Sequence, residues 1–282
     1  LYTVLGNHDV HRPSILKAHL SLNDQGKIIL PKNCYVRRFE QLRLIMIDTN
    51  LLTMKTDKGG VYAKLLQAYP DFFETQSSND LLEQLQAELQ SPFEGWTLVV
   101  GHEPLISVKS KKEQVGVSNL KEISKLLKTL SKVPKCIYLC ADVHAFEVMN
   151  IPVENTYVPM VVAGTGGADP DILPPKNTKL SYLNQPFTIE GMNPSYGYVS
   201  IHFTKTLFEI HFHPLKGCTG GQSKLVFQYQ NGQLKQVSFT PIPKSTQCSA
   251  EKPEPYLCEE NQSEMMGGFR RRRTKHQLSN SK

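Results

Sequence analysis

Short apolar runs, each bounded by polar or turn residues, recur along this chain of 282 residues. Residues 2–5, 44–47, 98–100, 136–140 and 160–163 have the length and sharp edges of buried strands. Two segments follow a different period. In NDLLEQLQAELQ (79–90), Leu81, Leu82, Leu85 and Leu89 share one helical face. In SNLKEISKLLKTLSK (118–132), Leu120, Ile123, Leu126, Leu127 and Leu130 do the same, with Ser118 as the predicted N-cap. Strand and helix therefore alternate, which is the order of an α/β fold.

The pattern changes further along. GYVSIHF and TLFEIHFH read as a hairpin turning at Thr204-Lys205, and KLVFQYQ-NG-QLKQVSF as a second, because Asn231-Gly232 suits a type I′ turn. Together they predict an antiparallel finish to a mixed sheet. Residues 166–195, rich in Gly and Pro, read as a long surface loop. From about Pro241 the Pro, Ser, Glu and Lys content predicts a disordered tail, so the expected division is a folded domain over 1–240 and a tail over 241–282.

Composition narrows the class. Hydrophobic residues at 39% and charged residues at 21% are those of a globular protein, and no apolar run reaches the length of a transmembrane segment. Six cysteines are too sparse for a disulfide-built scaffold; Cys136 and Cys140 sit in an apolar run and read as small buried residues. Of the formal charge of +6, residues 264–282 carry +5, mostly in the four arginines at 270–273. The body is thus not a basic nucleic-acid surface. The tail is a solvated segment, a contact for an anionic partner (nucleic acid or membrane), or a localisation signal.

Candidate chemistry sits where apolar runs end. TVL-GNHD, LVV-GHEP and IYLC-ADVH each place polar residues at the carboxyl end of a predicted strand, the end at which open α/β sheets bind ligands. Asn7, His8, His102, Asp142 and His144 would converge on one rim, and oxygen with imidazole donors suits Zn, Fe, Mn or a mixed pair. The competing reading of Asn7-His8-Asp9 is a plain turn capped by Asp9. His11 reads as a bystander, and His202, His211 and His213 as packing or surface residues. Glu147 reads as an acceptor behind His144.

The order GNHD, then GH-x-P, then x-x-V-H-x-x-E resembles the calcineurin-like metallophosphoesterase family, especially its purple-acid-phosphatase-like branch, over roughly residues 1–240. The resemblance implies an αββα sandwich of mixed sheets and hydrolysis of phosphate esters by two metal ions, Mn, Fe or Zn, with water activated between them. It also implies a role for each matching residue. Asn7 and His102 would bind the second metal and His144 the first. His8 would protonate the leaving oxygen, and Asp9 would hold the His8 imidazole.

Two departures qualify the resemblance. The family's Gly-His-x-His is here Ala141-Asp142-Val143-His144, so a carboxylate replaces an imidazole. Asp142 is expected to remain a metal ligand, favouring harder ions such as Mn or Mg. Glu103, beside His102, either points away or selects a cationic substrate. The family's earlier motifs, Asp-x-His and Gly-Asp, would precede Leu1. The chain is therefore expected to be N-terminally truncated, and a poor catalyst by itself. The alternative is a degenerate phosphoesterase fold kept as a binding module.

Overall fold

The computed structural model describes all residues except 55–59, 112, 113, 120, 121, 175–177, 179, 183, 184, 216–221 and 242–282. In chain order the elements are α1 (Pro13–Asp24), β1 (Tyr35–Arg38), β2 (Leu42–Met46), α2 (Asn50–Thr53), α3 (Val61–Ala68), α4 (Ser78–Gln90) and β3 (Trp96–Val100). After these come β4 (Ile106–Lys111), β5 (Gln114–Asn119), α5 (Ile123–Leu130), β6 (Cys136–Cys140), β7 (Phe146–Val153) and β8 (Thr156–Ala163). The last are β9 (Leu180–Tyr182), β10 (Gln185–Phe187), β11 (Ile189–Asn193), β12 (Gly197–Phe203), β13 (Leu207–Pro214), β14 (Ser223–Gln230) and β15 (Gln233–Pro241).

Seven strands form a mixed sheet in the order β1-β2-β3-β6-β8-β7-β11. Its centre, β2, β3, β6 and β8, is parallel. Parallel neighbours need crossovers, which α2 to α4 provide between β2 and β3, and α5 between β3 and β6. Side chains alternate across this sheet with period two. Val99, Cys136, Tyr138, Cys140, Met160 and Val162 pack beneath the helices, whereas Trp96, Leu98, Ile137 and Val161 face the other way.

That second face meets a separate four-stranded antiparallel sheet, β12-β13-β14-β15. Phe208, Ile210, Phe212, Leu225 and Phe227 fill the space between the sheets. Phe146 stacks on Phe212 with ring centroids 5.0 Å apart, and the Trp96 indole donates to the Thr204 carbonyl at 2.6 Å. The described residues thus form a layered α/β sandwich, and each described helix sets buried leucines (Leu16, Leu51, Leu65, Leu81, Leu126) into the core on the first face. No helix among the described residues is long and apolar enough to cross a membrane.

Helix α4 forms where its leucines predict it, but its cap is Ser77, whose hydroxyl accepts from the Asp80 amide at 3.1 Å. Buried Arg43 closes the other end by donating to the Glu88 and Ser91 carbonyls at 2.7 and 3.0 Å. Both hairpins are present, and Asn231 and Gly232 have φ of 52° and 78°, the left-handed pair that a type I′ turn requires.

Several expectations are corrected. Residues 2–5 make one parallel bridge, Tyr2 to Ile29, and no strand of the main sheet, because the short segment at Ile29 is their ladder partner. Ser118 is not an N-cap. It lies in β5, which pairs with β4, and the helix starts only at Ile123; Leu120 lies outside the described residues. Residues 166–195 are not one loop. They contain β9, β10 and β11, and β11 forms an edge of the main sheet. Gly and Pro content hid these strands because edge strands tolerate both. The two late hairpins form a sheet of their own rather than finishing the first, and β15 runs to Pro241; the expected tail beyond it lies outside the described residues.

Candidate functional site

The parallel strands end in polar residues on one rim: Asp48 to Asn50 after β2, His102 and Glu103 after β3, and Asp142 to His144 after β6. The Gly6–Asp9 turn joins them. Gly6 lies so close to the His102 ring that an added Cβ would stand 3.0–3.2 Å from its atoms. Any larger residue at position 6 would push the imidazole away. The turn itself is closed by the Asp9 amide on the Gly6 carbonyl at 3.1 Å, and by the Gly6 amide on Asp9 Oδ2 at 2.8 Å.

His102 Nε2 faces Asp142 Oδ1 at 3.6 Å. That is too long for a good hydrogen bond. It suits two donors on one cation: ligands about 2.1 Å from an ion at a tetrahedral angle stand about 3.4 Å apart. Burial alone would depress the His102 pKa, but the carboxylates of Asp142, Glu103 and Asp9 outweigh it and hold the imidazole above its ordinary range. The Asp142 carboxylate, facing the imidazole, makes this part of the rim attractive to cations. Asp142 has a φ of 57°, a left-handed conformation that Asp adopts more readily than most side chains.

Asn7 carries a further candidate donor, its side-chain oxygen. Its Oδ1 is buried without a hydrogen-bond partner among the described residues. An amide oxygen in that state costs about 1–3 kcal/mol unless something outside the polypeptide satisfies it. His144 is prepared differently. Its Nδ1 bonds the Asp169 carbonyl at 3.0 Å and its amide donates to Asp171 Oδ2 at 2.9 Å. A carbonyl only accepts, so Nδ1 carries the hydrogen; in the neutral ring this leaves Nε2 with the lone pair, the tautomer of a metal-binding imidazole with a backbone acceptor behind it. Glu147 is fully buried on β7. Among the described residues, no group of three or more His, Cys, Asp or Glu side chains gathers as an ion would require, so the donor set rests on the His102–Asp142 pair and on Asn7.

His8 is exposed at the rim and packs edge-on against His11, centroids 5.5 Å apart. Asp9 does not bond His8. Its Oδ1 contacts His19 Nε2 at 3.0 Å, from helix α1, while Oδ2 holds the Gly6 amide. Sequence reasoning passed over His19. The available signal was the stretch opened by Pro13, in which Leu16, His19 and Leu20 follow helical spacing.

Glu103 points away from the rim. It is 8% exposed, accepts from the hydroxyls of Thr49 and Thr53, and its carbonyl accepts from Tyr138 at 2.8 Å. Burial pushes its pKa up to about 7, opposed by the neighbouring His102. Its contacts, with the Ala141 amide on the His102 carbonyl at 2.8 Å, fix the loop that carries His102. Gly101 leaves room for this: a Cβ there would collide with Tyr138 Oη and the Thr49 methyl. His202, His211 and His213 lie apart, alternating with the buried Ile210 and Phe212 on the outer side of β12 and β13.

Fold and rim define a class: a mixed α/β sandwich with oxygen and imidazole donors at the carboxyl ends of its parallel strands. No protein-family model and no curated protein matches the chain. Among solved structures it is similar to PhoD, at 14% identity and a TM-score of 0.48, over 75% of this chain and 45% of that one. It is similar to purple acid phosphatase PPD1 from yellow lupin (Lupinus luteus) seeds, at 15% and 0.40, over 73% of this chain and 32% of that one. A third is GAP50, the anchor in the inner membrane complex of Plasmodium, at 16% and 0.44, over 88% and 68%. PhoD and the lupin phosphatase have the calcineurin-like metallophosphoesterase fold, the type that the motifs resemble. The chain spans less than half the length of either, and at these identities the likeness is one of fold alone.

Proposed function

We propose that this chain carries part of a two-metal centre that hydrolyses phosphate esters. Asn7 through Oδ1, His102 through Nε2 and Asp142 would hold one ion, and His144 through Nε2 would contribute to the other. Bound there, a divalent or trivalent ion, Mn, Fe or Zn, supplies Lewis acidity and lowers the pKa of water at the site. A carboxylate at position 142 shifts the preference toward harder ions such as Mn or Mg. His8 stands exposed at the rim, free to give a proton to a leaving oxygen. Glu103, the Ala141 amide and Tyr138 hold His102 in place. The substrate class is phosphate ester, with monoester, diester and pyrophosphate all open because loops select among them.

The observation that carries this reading is Asn7 Oδ1, buried without a partner among the described residues, in the turn whose Gly6 packs on His102, the residue that faces Asp142. The test is metal analysis of the full-length protein with a panel of phosphate esters, for wild type and Asn7→Ala. Stoichiometric metal and ester hydrolysis in the wild type, both reduced in the variant, are expected. A metal-free wild type that hydrolyses none of the esters would refute the reading.

One observation favours a second reading, a non-catalytic binding module on the same fold. An acid catalyst gains from an orienting carboxylate, and Asp9 bonds His19 rather than His8. Metal binding without ester hydrolysis by the full-length protein would select this reading.

A further inference from the structure

The Asp9 carboxylate is shared between two elements. One oxygen closes the Gly6–Asp9 turn, and the other faces an imidazole that no motif contains. An ionised carboxylate has no hydrogen to give, so His19 Nε2 must donate. His19 lies in the second turn of α1, a helix that starts at Pro13 and is anchored by the fully buried Leu16. The contact therefore ties a rigid helix to the turn carrying Asn7 and His8. Through Gly6, the same turn presses on the His102 ring. Without His19, the Asp9 carboxylate would keep, of these two contacts, only its bond to the Gly6 amide.

We infer that His19 is a positioning residue of the candidate metal centre, holding Asp9 so that the turn presents Asn7 Oδ1 beside His102. His19 touches neither metal nor substrate in this role, and the inference rests on the metal-centre reading above. Groups bonded directly to metal ligands typically change metal affinity by about 10- to 100-fold when removed, and His19 acts one contact further out, through Asp9, so the lower end of that range applies.

Three versions of the full chain test it: wild type, His19→Leu and His19→Gln. Leucine fills the space without a donor, whereas glutamine can still offer an N–H to Asp9. The readouts are Mn²⁺ affinity by calorimetry, hydrogen exchange at the Gly6 amide, and the melting temperature of the metal-free protein. His19→Leu is expected to weaken Mn²⁺ binding by about tenfold and to speed Gly6 exchange, with little change in melting. His19→Gln should recover most of both. Wild-type affinity and Gly6 protection in the leucine variant would overturn the inference. So would a glutamine variant as impaired as leucine with unchanged melting, since that demands a property of the imidazole beyond donating to Asp9. If the wild type binds no Mn²⁺, the metal-centre reading fails on its own. Gly6 exchange still decides His19 then: faster in leucine and restored in glutamine supports the positioning, and unchanged exchange refutes it.

Discussion

His102 and Asp142 face each other at 3.6 Å, although 40 residues separate them and each follows a different strand. Adjacent parallel strands β3 and β6 create the meeting, because equivalent carboxyl ends lie side by side. If the pair shares a cation, Asp142→Ala should lower Mn²⁺ affinity by at least about tenfold, the lower bound for losing even an outer partner of a metal ligand. Calorimetric titration of the full-length protein measures it. Full metal content and full activity in the variant would exclude Asp142 as a ligand.

Glu103 gives a separate expectation about stability. Glu103→Ala strips the Thr49 and Thr53 hydroxyls of their buried acceptor, at a cost of about 1–3 kcal/mol. Glu103→Gln keeps an acceptor and should cost less. Urea denaturation of the three proteins ranks them, and equal midpoints for alanine and glutamine would show that the carboxylate is not what ties the His102 loop to α2.

Asp48 predicts a pH dependence. Burial raises its carboxyl above the ordinary range, against the pull of donors on Tyr62, Asn50 and Asn33. In the unfolded chain the group ionises near its ordinary pKa of about 3.9. Above that pH the native state retains a proton that the unfolded chain has lost, so this group's contribution to stability falls as pH rises. Asp48→Asn cannot ionise and should lack that decline. Urea midpoints from pH 4 to 8 should show the wild type losing ground relative to the variant; parallel curves would contradict the assignment.

The Cys34 thiol is held up at about 12 by burial and by the neighbouring Asp48. The thiolate is the reactive form, so iodoacetamide at neutral pH should leave Cys34 unmodified in the native protein and label it readily in denaturant. Peptide mapping by mass spectrometry distinguishes the two states. Rapid native labelling would mean that the site opens or ionises far more easily than its surroundings imply.

Much of this molecule was legible in one dimension. The short apolar runs at 98–100 and 136–140, the leucine face of α4 and the Asn231-Gly232 turn are local patterns, and each forms as its residues dictate. The polar residues following those strands could be read for the same reason. Strand pairing is a different matter. Residues 2–5 look like a strand but, among the described residues, pair only through the Tyr2–Ile29 bridge, while 189–193, poor in strand signals, finds an edge beside β7. A ladder is a property of two segments, so neither segment announces it alone.

The sequence by itself determined the alternation of strands and helices, the apolar faces, and which donor types stand at strand ends, because these follow from short-range spacing and backbone preference. Only the tertiary structure decided that the late hairpins form their own sheet, that Glu103 turns inward to Thr49 and Thr53, and that Asp9 bonds His19 rather than His8. Those outcomes depend on which buried polar groups find partners across elements distant in the chain. Such partners exist only once the layers have packed, since each carboxylate takes the donors that burial leaves within reach.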